Sequence, residues 1–225
     1  MKKSIFLFFF IAFGINLNAQ VYEIGVFLGG SNYVGDIGRT NYVYPNKVAG
    51  AVFFKYNYNP RIAFRGTYSY LPIQGNDLVA DTDFRVNRGL NFKNTINELA
   101  LGLEYNFYEY NIAEQGKTWT PYILVELAAF SYQTAITEPV PFQYQYQNKT
   151  SFTVPVGIGF KSKLYQNLAF ALETKIRYTS EDDLDYTTTN IQNLNFGGTG
   201  NDWYMFTGVS FIYTFGRPPC YTNGF

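Results

Sequence analysis

The amino-acid sequence predicts an all-β fold, an eight-stranded antiparallel transmembrane up-and-down β-barrel, and three observations support this prediction. Eight stretches alternate between apolar and other residues with the two-residue period of a β-strand. Only 15% of the residues are charged, whereas 20% are Phe, Tyr or Trp, which favours a lipid-facing wall over a soluble core. The links between the stretches alternate in length, as the turns and loops of transmembrane barrels do.

The N-terminal residues 1–19 are predicted to be a cleaved secretory signal peptide. A basic start is followed by a short apolar run and by Ala19, a small residue suited to cleavage. An uncleaved anchor is the alternative, but the run is shorter than the roughly 20 residues that a spanning helix needs. We therefore expect one barrel over residues 20–216 and a periplasmic C-terminal tail over residues 217–225.

The first four predicted strands cover residues 21–29, 47–57, 61–71 and 96–108. One face of each strand is a row of apolar and aromatic side chains. Because side chains alternate between the two faces of a strand, these rows are expected to face lipid. The rows consist of Tyr22, Ile24, Val26, Leu28, Val52, Phe54, Tyr56, Ile62, Phe64, Tyr68, Tyr70, Leu99, Leu101, Leu103, Tyr105 and Phe107.

The last four predicted strands cover residues 119–132, 151–164, 167–179 and 202–215. The end of the eighth resembles the C-terminal insertion signal read by the barrel assembly machinery, although ten residues follow Phe215. The lipid-facing rows consist of Ile123, Val125, Leu127, Ala129, Phe152, Val154, Val156, Ile158, Phe160, Leu168, Phe170, Leu172, Ile176, Tyr178, Val209, Phe211, Tyr213 and Phe215.

The opposite face carries ten charged residues interleaved with Gly and Ala, and it is predicted to fill the lumen. An eight-stranded barrel has an interior just wide enough for side chains. Five acids and five bases can neutralise one another there. A soluble lipocalin-like barrel is the alternative, but its outer wall would be densely charged. The ten residues are Glu23, Lys55, Arg65, Glu98, Glu104, Glu126, Lys161, Glu173, Lys175 and Arg177.

The predicted links place both termini and the short turns on one side, the periplasm. Short links follow the second, fourth and sixth strands, at residues 58–60, 109–118 and 165–166. Long links, expected to be external loops, are residues 30–46, 72–95, 133–150 and 180–201. Residues 143–147 alternate Gln and Tyr, which favours a strand extension over a sticky surface for another protein.

The last external loop contains an acidic cluster, Glu181, Asp182, Asp183 and Asp185. Its spacing matches no calcium-binding loop, so a solvated loop is expected. A divalent cation that bridges the cluster to lipopolysaccharide is the alternative.

The composition argues against several classes of function. The chain has no histidine, the group that most often moves a proton near neutral pH, and its one cysteine, Cys220, has no histidine to activate it. The lumen carboxylates are expected to pair with the lumen bases. Basic and acidic residues are equal in number, which gives no footprint for nucleic acid. The sequence predicts no enzyme, no cofactor and no metal site.

Residues of the first strand carry a family resemblance. The motif consists of Glu23, Ile24, Gly25, Gly29, Gly30, Tyr33, Gly35 and Asp36. It resembles the opening of the PorG-like outer-membrane β-barrel family of Bacteroidota, a component of the type IX protein secretion system. Physically, Gly29 and Gly30 are expected to bend the strand rim, and Gly35 and Asp36 to form a turn with positive φ.

The resemblance implies a non-enzymatic barrel that anchors or scaffolds a protein assembly in the outer membrane. Its implied partners are a periplasmic ring lipoprotein of GldK/PorK type and a GldN/PorN-type protein. Outer-membrane lipid and lipopolysaccharide are expected to surround the barrel. Alternatives remain open: a passive surface barrel that binds lipid or a small ligand, a minor channel, or an adhesion barrel.

Overall fold

Eight antiparallel strands form one closed ring, in which each strand pairs with its neighbours in sequence and the last pairs with the first. The computed structural model describes residues 21–111, 118–141, 143–165, 167–195 and 200–216. The predicted eight-stranded antiparallel barrel is therefore confirmed. The strands are β1 (Val21–Val34), β2 (Lys47–Asn57), β3 (Ile62–Asn76), β4 (Asn91–Asn106), β5 (Trp119–Val140), β6 (Gln143–Tyr165), β7 (Leu168–Thr179) and β8 (Trp203–Phe215).

The predicted signal peptide, residues 1–19, and the predicted tail, residues 217–225 with Cys220, lie outside the described residues. Within the described ranges, no helix is both long and apolar enough to cross a bilayer.

Several strands extend beyond their predicted ends, and all the large extensions lie at the same end of the ring. The prediction of a long loop over residues 133–150 is wrong, because β5 continues to Val140 and β6 already begins at Gln143. Gln143, Gln145, Tyr146 and Gln147 pair with β5, which confirms the strand extension. Link length therefore does not alternate strictly, although this β5–β6 hairpin still projects from the same end as the long loops.

The outer wall of the ring is apolar. On β4, Leu99, Leu101 and Leu103 are 62%, 68% and 49% exposed, whereas the alternating residues Ala100 and Glu104 are buried. Two aromatic belts border this wall. The belt at the end of the short turns includes Tyr22, Tyr56, Phe64, Tyr105, Trp119, Phe160, Tyr213 and Phe215, and the other includes Tyr68, Tyr70, Tyr178 and Trp203. An apolar band between aromatic belts is the surface of a barrel that spans a bilayer.

The seam between β1 and β8 runs from the Tyr22–Phe215 pair to the Val34–Trp203 pair. Gly29 lies opposite Gly208 in its middle, with both positions facing the lumen. A Cβ on Gly29 would lie 2.1 Å from the carbonyl oxygen of Thr207, so the close approach of the two backbones requires glycine. Gly29 thus lies inside a continuous strand rather than bending its rim.

Three loops cover the end of the ring opposite the short turns. They are residues 35–46, residues 77–90 with the short helix α1 (Asp83–Arg88), and residues 180–202. Apolar side chains from the loops and strand ends pack together beneath them. These include Tyr33, Ile37, Ile73, Phe92 and Leu184, all less than 6% exposed.

Candidate functional site

The structure places all ten predicted lumen residues inside the ring, and none is more than 3% exposed. They come from the first seven strands and meet across the interior as ion pairs. β1 contributes Glu23, β2 Lys55, β3 Arg65, β4 Glu98 and Glu104, β5 Glu126, β6 Lys161, and β7 Glu173, Lys175 and Arg177.

Glu104 is the centre of the half of the network nearer the short turns. Its two carboxylate oxygens each lie 2.6 Å from a lysine Nζ, one from Lys55 and the other from Lys161. The guanidinium of Arg65 lies 3.6 Å away. Lys55 also lies 3.6 Å from Glu23. One carboxylate therefore joins three cations that reach it from three different strands.

Arg65 links this half to the rest of the network. Its Nη1 lies 2.6 Å from Glu173 Oε2, and Glu173 lies 3.6 Å from Lys175. Lys175 in turn lies 2.7 Å from Glu126. The chain of contacts thus continues from one half of the lumen into the other.

Arg177 and Glu98 form a bidentate pair nearer the covered end. Arg177 Nε and Nη2 donate to the two oxygens of Glu98 over 2.9 and 2.8 Å. This planar geometry is the strongest form of an arginine–carboxylate contact.

Two buried tyrosines that the sequence analysis did not single out complete the network. The Tyr122 hydroxyl donates to Glu173 over 2.5 Å, and the Tyr204 hydroxyl donates to Glu98 over 2.8 Å. Both occupy the same strand face as the charged residues, so strand alternation could have identified them. The carboxylates of Glu173 and Glu98 therefore each bind both a cation and a tyrosine hydroxyl, and these contacts occupy the oxygens that acid–base chemistry would need.

A further buried tyrosine packs against the lumen network at the end of the short turns. Tyr110, from the β4–β5 link, is 4% exposed, and the Nζ of Lys161 lies 4.4 Å from its ring centre. A backbone hydrogen bond holds this residue in place, because the Tyr110 N–H donates to the carbonyl oxygen of Pro60 over 3.0 Å.

At the opposite end, two arginines of α1 fasten the loop 35–46. Arg85 donates to the carbonyl oxygens of Gly35 and Gly38 over 2.9 and 2.6 Å. Arg88 forms an ion pair of 2.7 Å with Asp77, which also accepts the Gly38 N–H. Helix α1 thus attaches one covering loop to another.

The acidic loop 180–202 is held by a second set of contacts. Lys149 Nζ lies 2.6 Å from Glu181 and 2.9 Å from Asp183, and the Tyr132 hydroxyl donates to Asp183. Asp185 is only 2% exposed. The expectation of a solvated acidic loop is therefore wrong, because the lysine from the β5–β6 hairpin draws the loop back onto the barrel. In the described part of the chain, no group of three or more His, Cys, Asp or Glu residues is arranged to hold a metal ion.

Tyr33, at the end of β1, lies between two carboxylates of this loop. Its hydroxyl oxygen is 2.5 Å from Asp202 Oδ1 and 2.9 Å from Asp185 Oδ2. Burial, together with the charge of Asp185, raises the pKa of the Asp202 carboxyl to about 8. Burial and the charge of Asp185 likewise raise the pKa of Asp36 to about 6. No sequence pattern signals this cluster, because its members are far apart in the chain.

The motif that carries the family resemblance begins in β1 and ends at this cluster. Glu23, Ile24, Gly25, Gly29 and Gly30 belong to the strand, and Gly35 and Asp36 follow it. Among the described residues, positive φ occurs at Gly38, Gly89, Gly216 and Tyr186, so the prediction of a turn with positive φ at Gly35 and Asp36 is wrong. Gly35 instead lies close to the Tyr33 side chain, because a Cβ there would lie 2.1 Å from the Tyr33 hydroxyl oxygen and would displace it.

Comparison with solved structures finds similar barrels at low sequence identity. Ail, the attachment invasion locus protein of Yersinia pestis, is 11% identical, with 88% of this chain and 99% of that chain covered and a TM-score of 0.48. The N-terminal β-barrel domain of Pseudomonas aeruginosa OprF is 15% identical, with 87% and 98% covered and a TM-score of 0.46. A major outer membrane protein of Thermus thermophilus is 14% identical, with 88% and 100% covered and a TM-score of 0.47. These likenesses concern the fold alone.

No curated protein matches this sequence. Residues 2–224 match a family model over nearly the whole chain, and the chain thus belongs to the family described as Domain of unknown function (DUF6089).

Proposed function

We propose that this protein is a non-enzymatic anchor in the outer membrane that holds a protein assembly through its periplasmic end. The observation that carries the proposal is the lumen, which is crossed by buried ion pairs from Glu23 to Glu98. Both ends are covered, by Tyr110 on one side and by three loops on the other. A barrel filled in this way offers a rigid membrane-embedded body rather than a path for solutes.

The orientation is part of the proposal. Transmembrane barrels have short periplasmic turns and longer external segments. Here the links at 58–61 and 166–167 are short, and the long loops and the β5–β6 hairpin lie at the other end. On this basis we assign the short turns and the first and last residues of the barrel, Val21 and Phe215, to the periplasm.

The resemblance of the β1 motif to PorG-like barrels suggests what is anchored. On that basis the partners are the periplasmic ring lipoprotein of GldK/PorK type and its GldN/PorN-type partner of the type IX secretion system. The contact surface would include the exposed groups of the short turns. Tyr58 is 63% exposed there, and the Arg61–Glu109 pair is open to solvent.

Site-specific photo-crosslinking in cells tests this proposal. A photo-reactive residue at position 109 lies on the proposed contact surface, and one at position 138 lies on the hairpin at the opposite end. We expect a crosslink to the ring lipoprotein from position 109 and none from position 138. Absence of the crosslink from position 109, with the barrel folded and present at normal level, would refute the anchor role.

The projecting hairpin favours a second candidate function, adhesion to another protein at the cell surface. Residues Ile136, Val140 and Tyr146 of this hairpin are 44%, 50% and 50% exposed, beyond the apolar wall. Shortening the hairpin by removal of residues 136–145 would abolish adhesion to a host or neighbouring cell surface if this function holds. The same deletion is expected to leave crosslinking from position 109 intact.

A further inference from the structure

A gap in the barrel wall separates β4 from β5 between the apolar band and the end that the three loops cover. The ladder between these strands ends at the Asn97–Ser131 pair. Beyond it, β4 continues paired to β3 as far as Asn91, and β5 continues paired to β6 as far as Val140. The two halves of the wall therefore diverge at this point.

The side chain of Asn94 bridges the start of the gap in place of a backbone ladder. Its Nδ2 donates to the Gln133 carbonyl over 2.7 Å, and its Oδ1 accepts the Gln133 N–H over 3.2 Å. Around this bridge lies a cavity of about 420 Å³, lined by residues of β2, β3, β4, β5, β6 and the loop 180–202. This volume is within the range of cavities that hold small ligands, roughly 300–1,000 Å³.

The cavity begins where the lipid-facing wall ends. Outward residues along β4 change from Leu103, Leu101 and Leu99 to Asn97, Thr95 and Lys93. Asn97 is also the register partner of Tyr70, a member of the aromatic belt. Because such belts lie at the level of the lipid headgroups, the cavity opens at the same level.

The charge of the cavity is positive. Lys47 and Lys93 line it, and no Asp or Glu does so in the described part of the chain. Four other lysines, Lys55, Lys149, Lys161 and Lys175, form ion pairs with carboxylates. Neither cavity lysine has a carboxylate partner among the described residues. Two uncompensated cations thus lie together on an external end that is otherwise rich in paired acids.

The remaining lining groups are hydrogen-bonding side chains. Asn97, Thr95, Ser131 and Asn148 offer amides and hydroxyls alongside the two lysines. Lysine is a point-charge binder of phosphate oxygens, and neutral donors complete their coordination. We propose that this cavity binds the phosphate-bearing headgroup of a lipid in the facing leaflet of the membrane.

The proposal rests on the membrane placement given above but not on the anchor role. Crosslinking from position 109 tests the periplasmic contact alone, and lipid binding tests the cavity alone. Failure of one experiment therefore leaves the other standing.

Native mass spectrometry of the full chain in detergent micelles provides the test. The probes are a lipid A with two phosphates and its dephosphorylated form. We expect the phosphorylated lipid to bind at least about tenfold more tightly, since the two lysines face its phosphates. The double variant Lys47→Gln/Lys93→Gln should bind it roughly 30-fold more weakly, about a factor of five per lysine. Lys93→Arg, which keeps the charge, should retain binding.

Arg61→Gln is the matched control for Lys93→Gln, because it removes one cation at the opposite end of the barrel. It should leave the affinity unchanged, whereas Lys93→Gln should lower it about fivefold. Heat-dependent gel mobility verifies that each variant is folded. Equal binding of the two lipids, or unchanged binding by the double variant, would overturn the proposal. Equal affinity for soluble glucosamine 1-phosphate would overturn the assignment to a lipid.

Discussion

At the scale of single residues, the cluster around Tyr33 contains one hydroxyl proton for two carboxylates that both lie within hydrogen-bond distance of it. A phenol hydroxyl donates one hydrogen bond, yet the Tyr33 oxygen lies within 2.9 Å of both Asp185 and Asp202. The same oxygen accepts the Asp36 N–H over 3.2 Å. The other Asp202 oxygen accepts the Leu184 N–H. Two buried carboxylates can share this phenol when one of them keeps its own proton and donates it to the Tyr33 oxygen.

The pH dependence of stability follows from this shared proton. The pKa of Asp202 rises on folding from its ordinary value of 3.8 to about 8. The folded protein therefore binds the proton more tightly, and its stability falls as pH rises from about 4 through 8. We expect a lower urea midpoint at about pH 9 than at about pH 6.

Asp202→Asn is the variant that isolates this effect, because an amide keeps a donor toward Tyr33 without titrating. It should remove most of the difference between the two urea midpoints. A midpoint that is unchanged by pH in the native sequence would contradict the shared proton. So would an equal pH effect in Asp202→Asn.

Glu104 makes a second prediction at this scale. Glu104→Gln removes the charge that faces Lys55, Lys161 and Arg65 in the lumen. Because it leaves buried cations without their partner, we expect a loss of about 3–5 kcal/mol in the free energy of unfolding. Urea unfolding in lipid vesicles measures it.

The control for Glu104→Gln is Glu109→Gln, whose partner Arg61 is exposed. Its effect should stay within about 1 kcal/mol. Equal effects of the two substitutions would show that the lumen network contributes no more than a surface ion pair.

At the scale of elements, strand alternation predicted the wall and the lumen well. The period of two places Leu101 outside and Glu104 inside whatever the loops do, because it is set locally by the extended backbone. The extent of the strands was less predictable. Residues 133–150 are rich in polar side chains. They extend β5 and β6 only because the two segments pair with each other.

The covering loops could not be predicted from sequence pattern. The Tyr33–Asp202 contact joins residues that are 169 positions apart, and the Arg85–Gly35 contact joins residues 50 positions apart. No periodicity links such positions, since loops carry no repeating face. The prediction that the acidic cluster is solvated was wrong because the cation that pairs with it, Lys149, comes from a different segment, and the spacing within the loop does not reveal this partner.

The seam between β1 and β8 gives the prediction at the scale of elements. Gly29→Ala would place a Cβ 2.1 Å from a backbone oxygen, a clash that no side-chain movement relieves. We expect a loss of at least about 1–3 kcal/mol and a smaller folded fraction on heat-dependent gel mobility.

Gly50→Ala is the matched control for the seam. Its Cβ would point to the lipid face and meet its nearest neighbours, which include Leu28 Cδ2, at 3.7 Å. It should fold as well as the native sequence. Normal folding of Gly29→Ala would show that the strands of the seam can separate without cost.

At the scale of the whole molecule, the barrel is a filled body that is covered at both ends. Ion pairs occupy its lumen, Tyr110 lies at one end, and the fastened loops lie at the other. We expect no single-channel steps in planar bilayers that contain folded protein. Steady, reproducible open-channel currents would contradict the anchor and favour the minor channel.

The seam also decides the order in which the ring can assemble. All the other ladders join strands that are neighbours in the chain, and each of these can form as a local hairpin. The closing ladder joins Tyr22 to Phe215, so its formation must wait until the last strand is available for pairing. Until then one edge of β1 and one edge of β8 lack a pairing partner. A chaperone or insertion machine that engages those edges would hold the unfinished barrel, and it would be released by the pairing of the two ends.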